Sequence, residues 1–128
     1  MNKKKRLLII LNRFVIGGQA VDTLPLAYYL RNDFDILILY GEKEKDEIEP
    51  AFLLKRYPGL NLQKISQLRR SINPFIDILA FFKILSIIIT FHPHISHTHG
   101  AKTGILGRVA GFCCQVPVRV HTFHQLCF

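Results

Sequence analysis

An α/β fold built on one parallel sheet is predicted by three observations. Short apolar runs alternate with helix-length segments along the whole chain. The first run, Leu7-Leu8-Ile9-Ile10-Leu11, is continuously apolar, as expected of a strand covered on both faces. Two polar tips, His97-Thr98-His99 and His121-Thr122-Phe123-His124, each end a short apolar stretch. In a parallel sheet both tips fall at the end where open α/β folds bind ligands. A length of 128 residues suits one domain with a proper core, and 49% hydrophobic against 20% charged residues excludes a disordered chain.

The elements follow in order. Arg6–Leu11 is the first strand. A loop through Gly17-Gly18 leads to a helix over about residues 20–31, with Leu24, Ala27, Tyr28 and Leu30 apolar. Pro25 falls in the first turns of that helix and is tolerable only there. Asp35–Tyr40 is the second strand, ended by Gly41, and a charged helix or loop covers 42–57 up to Pro58-Gly59. Asn61–Ile65 is a weaker third strand. Asn73-Pro74 starts a long helix over 74–91, because Asn caps well and Pro suits the first helical position. A strand at 95–98, a helix at 100–113 and a strand at 118–123 complete the series. Right-handed crossovers give five parallel strands in the order 3-2-1-4-5, a single Rossmann-like domain over residues 1–128.

Charge narrows the partners. Lys and Arg number 17 against 9 acids, a formal charge of +8. Lys3, Lys4, Lys5, Arg6 and Arg13 form one basic zone, Lys55, Arg56, Lys64, Arg69 and Arg70 another. Such zones on an apolar chain suit anionic lipid headgroups or phosphorylated ligands. No nucleic-acid motif and no basic-aromatic platform is present, so nucleic acid is not an expected partner. The N-terminus imitates a signal peptide, but its apolar run breaks at Asn12-Arg13 after five residues. Residues 72–91 approach the length of a membrane span, yet Asp77 and Lys83 interrupt them. Lys83, Ser86 and Thr90 fall on one narrow stripe, which predicts a mostly buried helix lying against the sheet. Cys113, Cys114 and Cys127 are odd in number and suggest no disulfide framework; reduced, mostly buried thiols in a cytoplasmic protein are expected.

Among the candidate site residues, Gly17-Gly18 lets backbone N–H groups approach a ligand at a helix start, where an anion is favoured. A tight βα turn explains the same residues, and the spacing matches neither a dinucleotide fingerprint nor a P-loop. His97 and His99, two apart, share a face if the strand persists. Gly104, Gly107 and Gly111 cluster on one side of their helix and permit close packing on the sheet. Six histidines raise a zinc site as an alternative, but neither C-x-x-C nor H-E-x-x-H occurs, and no metal site is expected. A Cys/His nucleophile lacks an identified activating partner.

Four stretches in order, Ile16-Gly17-Gly18-Gln19, Arg70–Pro74 with Asp77, His97–Arg108 and Val118–His124, resemble the N-terminal domain of family 4 glycosyltransferases, retaining enzymes of the GT-B fold. The resemblance runs from about residue 6 to residue 124. It implies that Gly17 and Gly18 lie against the donor diphosphate and the acceptor. It implies that His124 is the active-site histidine contacting the donor sugar, and that His99 and Lys102 line the acceptor cleft. Such enzymes move a sugar from a nucleotide sugar to an acceptor with retention, often a lipid-linked or cell-surface polysaccharide precursor. They need no cofactor and no catalytic metal. The basic zones and apolar helix resemble those that hold such enzymes on the inner face of a membrane. The sequence departs from the pattern at His94, where the family has Asp, and at Gln125, where it has Gly. The resemblance also implies a donor-binding C-terminal domain, which the 128 residues do not include. The chain is therefore expected to be inactive alone; the alternative is a non-catalytic binding module that pairs with a separate donor domain or a membrane surface.

Overall fold

The computed structural model describes residues 4–12, 18–42, 51–69 and 73–122; for 18–22, 51, 53 and 54 this is the backbone alone. The elements are β1 (Lys5–Leu11), α1 (Gly18–Leu30), β2 (Phe34–Gly41), α2 (Ala51–Arg56), β3 (Leu62–Ile65), α3 (Pro74–Phe91), β4 (Ile95–His99), α4 (Ala101–Cys113) and β5 (Val118–Thr122). They build a five-stranded sheet in the expected order β3-β2-β1-β4-β5. Every pairing is parallel, with Leu8 opposite both Leu37 and Ser96, and Ile95 opposite Val118.

β1 sits at the centre, and its apolar run is divided between two cores by the two-residue pleat of a strand. Leu8 and Ile10 join Leu37, Leu39, Ile65, Ala80, Ile84, Ile88 and Ala110 on one face. Leu7, Ile9 and Leu11 join Leu24, Ala27 and Ile38 on the other. That is why the run does not alternate with polar residues: either face would otherwise bury an unpaired polar group.

α4 approaches its strands closely because its packing ridge is made of glycines. A methyl group at Gly104 would overlap the His121 ring, and one at Gly107 would meet the Thr98 side chain. At Gly111 it would crowd Arg119 and Ser96. The small-residue stripe therefore packs a helix onto β4 and β5, as its spacing predicts.

The structure corrects three expectations. α1 starts at Gly18, so Pro25 stands inside the helix rather than in its first turns. Its ring leaves the carbonyl of residue 21 without the usual amide partner. α3 is not mostly buried: only Ala80, Ile84 and Ile88 are buried, while Phe75 is 82% and Phe82 57% exposed. Three core residues on successive turns seat one face on the sheet, and among the described residues no second layer covers the other. The thiols are not mostly buried either. Cys113, past the last glycine contact of α4, is exposed, and Cys114 is half-buried; Cys127 lies outside the described residues. The departure at His94 is accommodated, because its Nδ1 accepts the Arg6 amide at 3.0 Å while the His94 amide donates to the Arg6 carbonyl at 2.8 Å.

Replacing Gly107 with Val should therefore cost about 1–3 kcal/mol of stability by overpacking. The midpoint of urea unfolding would fall, whereas Val at exposed Arg108 should leave it nearly unchanged.

Candidate functional site

All strands are parallel, so the chain leaves each of them at one end of the sheet. α1 and α4 begin there, at Gly18 and Ala101, and β5 ends there at Thr122. The helix starts direct unsatisfied N–H groups and partial positive charge toward this rim. Gly41, at the end of β2, is the crossing point. A Cβ there would overlap the carbonyl oxygens of both Asn12 and Leu68, so only glycine admits the β1 and β3 exits side by side. The Glu42 amide donates to that Leu68 carbonyl at 2.7 Å, and the Thr103 hydroxyl at the start of α4 donates to Asn12 Oδ1 at 3.3 Å.

β4 persists through His99, so His97 and His99 share a face, their ring centroids 4.3 Å apart. His97 Nε2 lies 2.6 Å from the Thr122 hydroxyl on β5. His99 is 2% exposed. On the opposite face, the Thr98 hydroxyl lies 2.8 Å from His121 Nδ1. The register pairs Thr98 with His121 and His99 with Thr122. The last two residues of β4 and β5 thus form one polar layer on each face, beside the wholly apolar Leu7–Leu11 run of β1. Spacing predicted the His97–His99 pair; the threonine partners escaped it because cross-strand register is not written in either strand alone.

Lys102 is held rather than free. Its Nζ donates to the Arg69 carbonyl at 2.7 Å and pairs with Asp77 Oδ1 at 2.6 Å. Asp77 Oδ2 accepts the Asn73 amide at 3.3 Å, and Asn73 Oδ1 caps α3 by accepting the Phe75 and Ile76 amides. One lysine therefore joins the loop before α3, the first turn of α3 and the start of α4. Both side chains are 18% exposed, so the pair is screened far less than a surface bridge. Asp77 stands in the first turn of α3, where an acid suits the helix dipole, but its partner 25 residues later is not written in the local sequence. Gly17, His124 and Gln125 lie outside the described residues, and Gly18 stands at the first position of α1. Among the described residues, no three His, Cys, Asp or Glu side chains come together to hold a metal ion.

At the opposite end of the sheet, a cleft of about 500 Å³ is lined by residues that include His92, His94, Cys113 and Cys114. Burial, and then the neighbouring Cys113, push the Cys114 thiol up from its ordinary value. Mild iodoacetamide treatment at pH 8 should accordingly alkylate Cys113 before Cys114. The gap should narrow at higher pH as Cys114 deprotonates, which peptide mass mapping would follow. For the lysine clasp, Lys102→Met should cost about 1–3 kcal/mol, less than the loss of one partner from a fully buried pair. A Lys102→Met/Asp77→Asn cycle in urea should show a coupling of about 1 kcal/mol.

No family model matches the chain. Over 64 residues it is 36% identical to the UDP-Gal:alpha-D-GlcNAc-diphosphoundecaprenol alpha-1,3-galactosyltransferase of Escherichia coli, a match covering 50% of this chain and 16% of that protein. Among solved structures it resembles a UDP-N-acetylglucosamine 2-epimerase, with a TM-score of 0.71 and 17% identity over 94% of this chain and 33% of the other. It also resembles MurG of Acinetobacter baumannii, with a TM-score of 0.67 and 17% identity over 91% of this chain and 34% of the other. The chain thus spans about a third of each structure and a smaller part of the galactosyltransferase. It is glycosyltransferase-like: a partial homologue of a lipid-linked-sugar galactosyltransferase, with the Rossmann-like fold of the GT-B proteins.

Proposed function

We propose that this chain is the acceptor-side half of a retaining glycosyltransferase that moves a sugar from a nucleotide sugar to a lipid-linked or cell-surface polysaccharide precursor. The observation that carries this reading is the convergence of Gly18, His97, His99 and Lys102 at the ligand end of one sheet, in a partial homologue of a galactosyltransferase.

In this reading Gly17 and Gly18 present backbone N–H groups to the donor diphosphate and the acceptor, where the start of α1 favours negative charge. His124, reached directly from β5, contacts the donor sugar. His99 and Lys102 serve the acceptor cleft from below. The buried His99 ring supports that of His97, and Lys102 sets the distance between the starts of α3 and α4. Charge developing on the leaving diphosphate is met by oriented amides, so the transfer runs without a metal or other cofactor. The nucleotide is gripped chiefly by a separate donor-binding C-terminal domain, and the reaction needs both halves to orient the sugar. The work is done in the cytoplasm, at the inner face of a membrane.

A non-catalytic module that pairs with a donor domain is favoured by one further observation, the open β5 edge with Val118 47% and Val120 41% exposed. NMR titration with a GlcNAc-diphosphate acceptor analogue and with UDP-galactose separates the readings. Acceptor-side function predicts amide shifts confined to the start of α1, residues 97–104 and the end of β5. No shifts at saturating ligand, or shifts elsewhere, would leave only the pairing module. Sugar transfer by the 128-residue chain alone is expected to be undetectable, and its detection would refute the division of labour.

A further inference from the structure

The cleft at the end of the sheet remote from the ligand rim is bordered by two abrupt helix ends. α3 stops at His92 (φ 53°), and the chain turns after α4 at Gln115 (φ 56°). Both stand in left-handed backbone that residues with side chains seldom adopt. The turn after α4 is fixed by three backbone bonds. The Cys114, Gln115 and Val116 amides donate to the carbonyls of Ala110, Phe112 and Gly111 at 3.0, 3.1 and 2.9 Å. This turn carries two adjacent thiols, and Cys113 and Cys114 line the cleft together. Ile89, Pro93, Val116 and Pro117 give it apolar walls.

Adjacency decides what these thiols can do. Neighbouring Cα atoms stand about 3.8 Å apart, closer than the roughly 4.4–6.8 Å of ordinary disulfides. A direct S–S bond is therefore strained, whereas one atom inserted between the sulfurs relieves the mismatch. The surroundings set the charge that this atom must leave behind. Two helix C-termini, each with partial negative charge, disfavour an anionic complex. Burial, and then the neighbouring Cys113, push the Cys114 thiol up, so a pair of bare thiolates is resisted. A neutral bridge between two sulfurs answers both conditions. It also asks no more of the cleft than its two thiols, since among the described residues no three His, Cys, Asp or Glu side chains gather to hold a metal ion.

We infer that Cys113 and Cys114 form a chelating site for a trivalent organoarsenical, whose organic substituent lies against the apolar walls of the cleft. An organoarsenic oxide, R–As=O, meets the two thiols there. Both S–H bonds break, two As–S bonds form, and the two protons leave with the oxide oxygen as water. Arsenic stays trivalent, so no oxidant or reductant takes part, and the product is neutral.

The test is titration of the full chain with phenylarsine oxide in the presence of 2-mercaptoethanol, a competing monothiol, read by intact-mass spectrometry. A Cys127→Ser variant removes the third thiol from the count. One phenylarsenic group per chain is expected, bound with loss of water. In the Cys127→Ser chain, a further Cys113→Ser or Cys114→Ser should weaken retention by about a hundredfold or more, because the second bond is then no longer intramolecular. Folding should matter too, since the hydrogen-bonded turn holds the pair in place: the urea-unfolded chain should retain the probe about tenfold less tightly. Ile89→Ser should weaken retention by the folded chain about threefold and leave that of the unfolded chain unchanged. Circular dichroism melts would show that the variants stay folded. Retention that survives the loss of either thiol, or that is equal in folded and unfolded chains, would overturn the proposal. So would two phenylarsenic groups on the Cys127→Ser chain, one on each thiol.

Discussion

The double coverage of β1 is the constraint on which the rest depends. Leu7 to Leu11 are hydrogen-bonded in register to β2 on one side and, through Ile10, to β4 on the other. Both faces of the strand are buried. A strand in that position admits no polar side chain and no slip by one residue, since a slip would exchange the side chains of two different cores. With β1 set, α1 must lie on one face and α3 and α4 on the other, and the chain must turn back at the same end each time. The ligand end of the sheet is thus a by-product of satisfying five apolar residues.

Polarity rises abruptly at that end. Ser96 and Thr98 are buried on the α4 face, and His97 and His99 stand on the other. Such groups are costly inside a sheet unless they meet partners, and on β5 Thr122 meets His97 and His121 meets Thr98. Two further devices hold the rim. Gly41 lets the exits of β1 and β3 crowd against the end of β2, and the Asp77–Lys102 pair ties α3 to α4. The rim is therefore organised chiefly by side chains that need not touch a ligand themselves. This fits a site whose chemistry is positioning rather than proton transfer.

Much of this was legible in the sequence. The strand order followed from alternation and handedness, the start of α3 from Asn73-Pro74, and the close approach of α4 from its glycine spacing. What escaped the sequence shares one physical origin, the meeting of residues far apart in the chain. The resemblance gave Lys102 only as a lining residue of the acceptor cleft; that its ammonium is engaged by Asp77 and the Arg69 carbonyl came from the structure. The exposed aromatics of α3 escaped because an all-apolar helix is compatible with burial on every side. Periodicity located only the polar stripe of Lys83, Ser86 and Thr90, not the exposure of the aromatics beside it. The roles of Gly17 and His124 came from resemblance, and lie outside what the described geometry can display.

The pairing of β1 with β4 also has a consequence for synthesis. Leu7 pairs with Ile95, so the ribosome must add 88 further residues before this partner exists. At about 5–20 residues per second the wait is roughly 4–18 s. Throughout it, β1 emerges as a bare aliphatic run with an unsatisfied edge, the kind of segment that nucleates aggregation. The Lys3-Lys4-Lys5-Arg6 block, which leads into the aliphatic part of the strand, places there the like charge by which gatekeeper residues keep nascent chains apart.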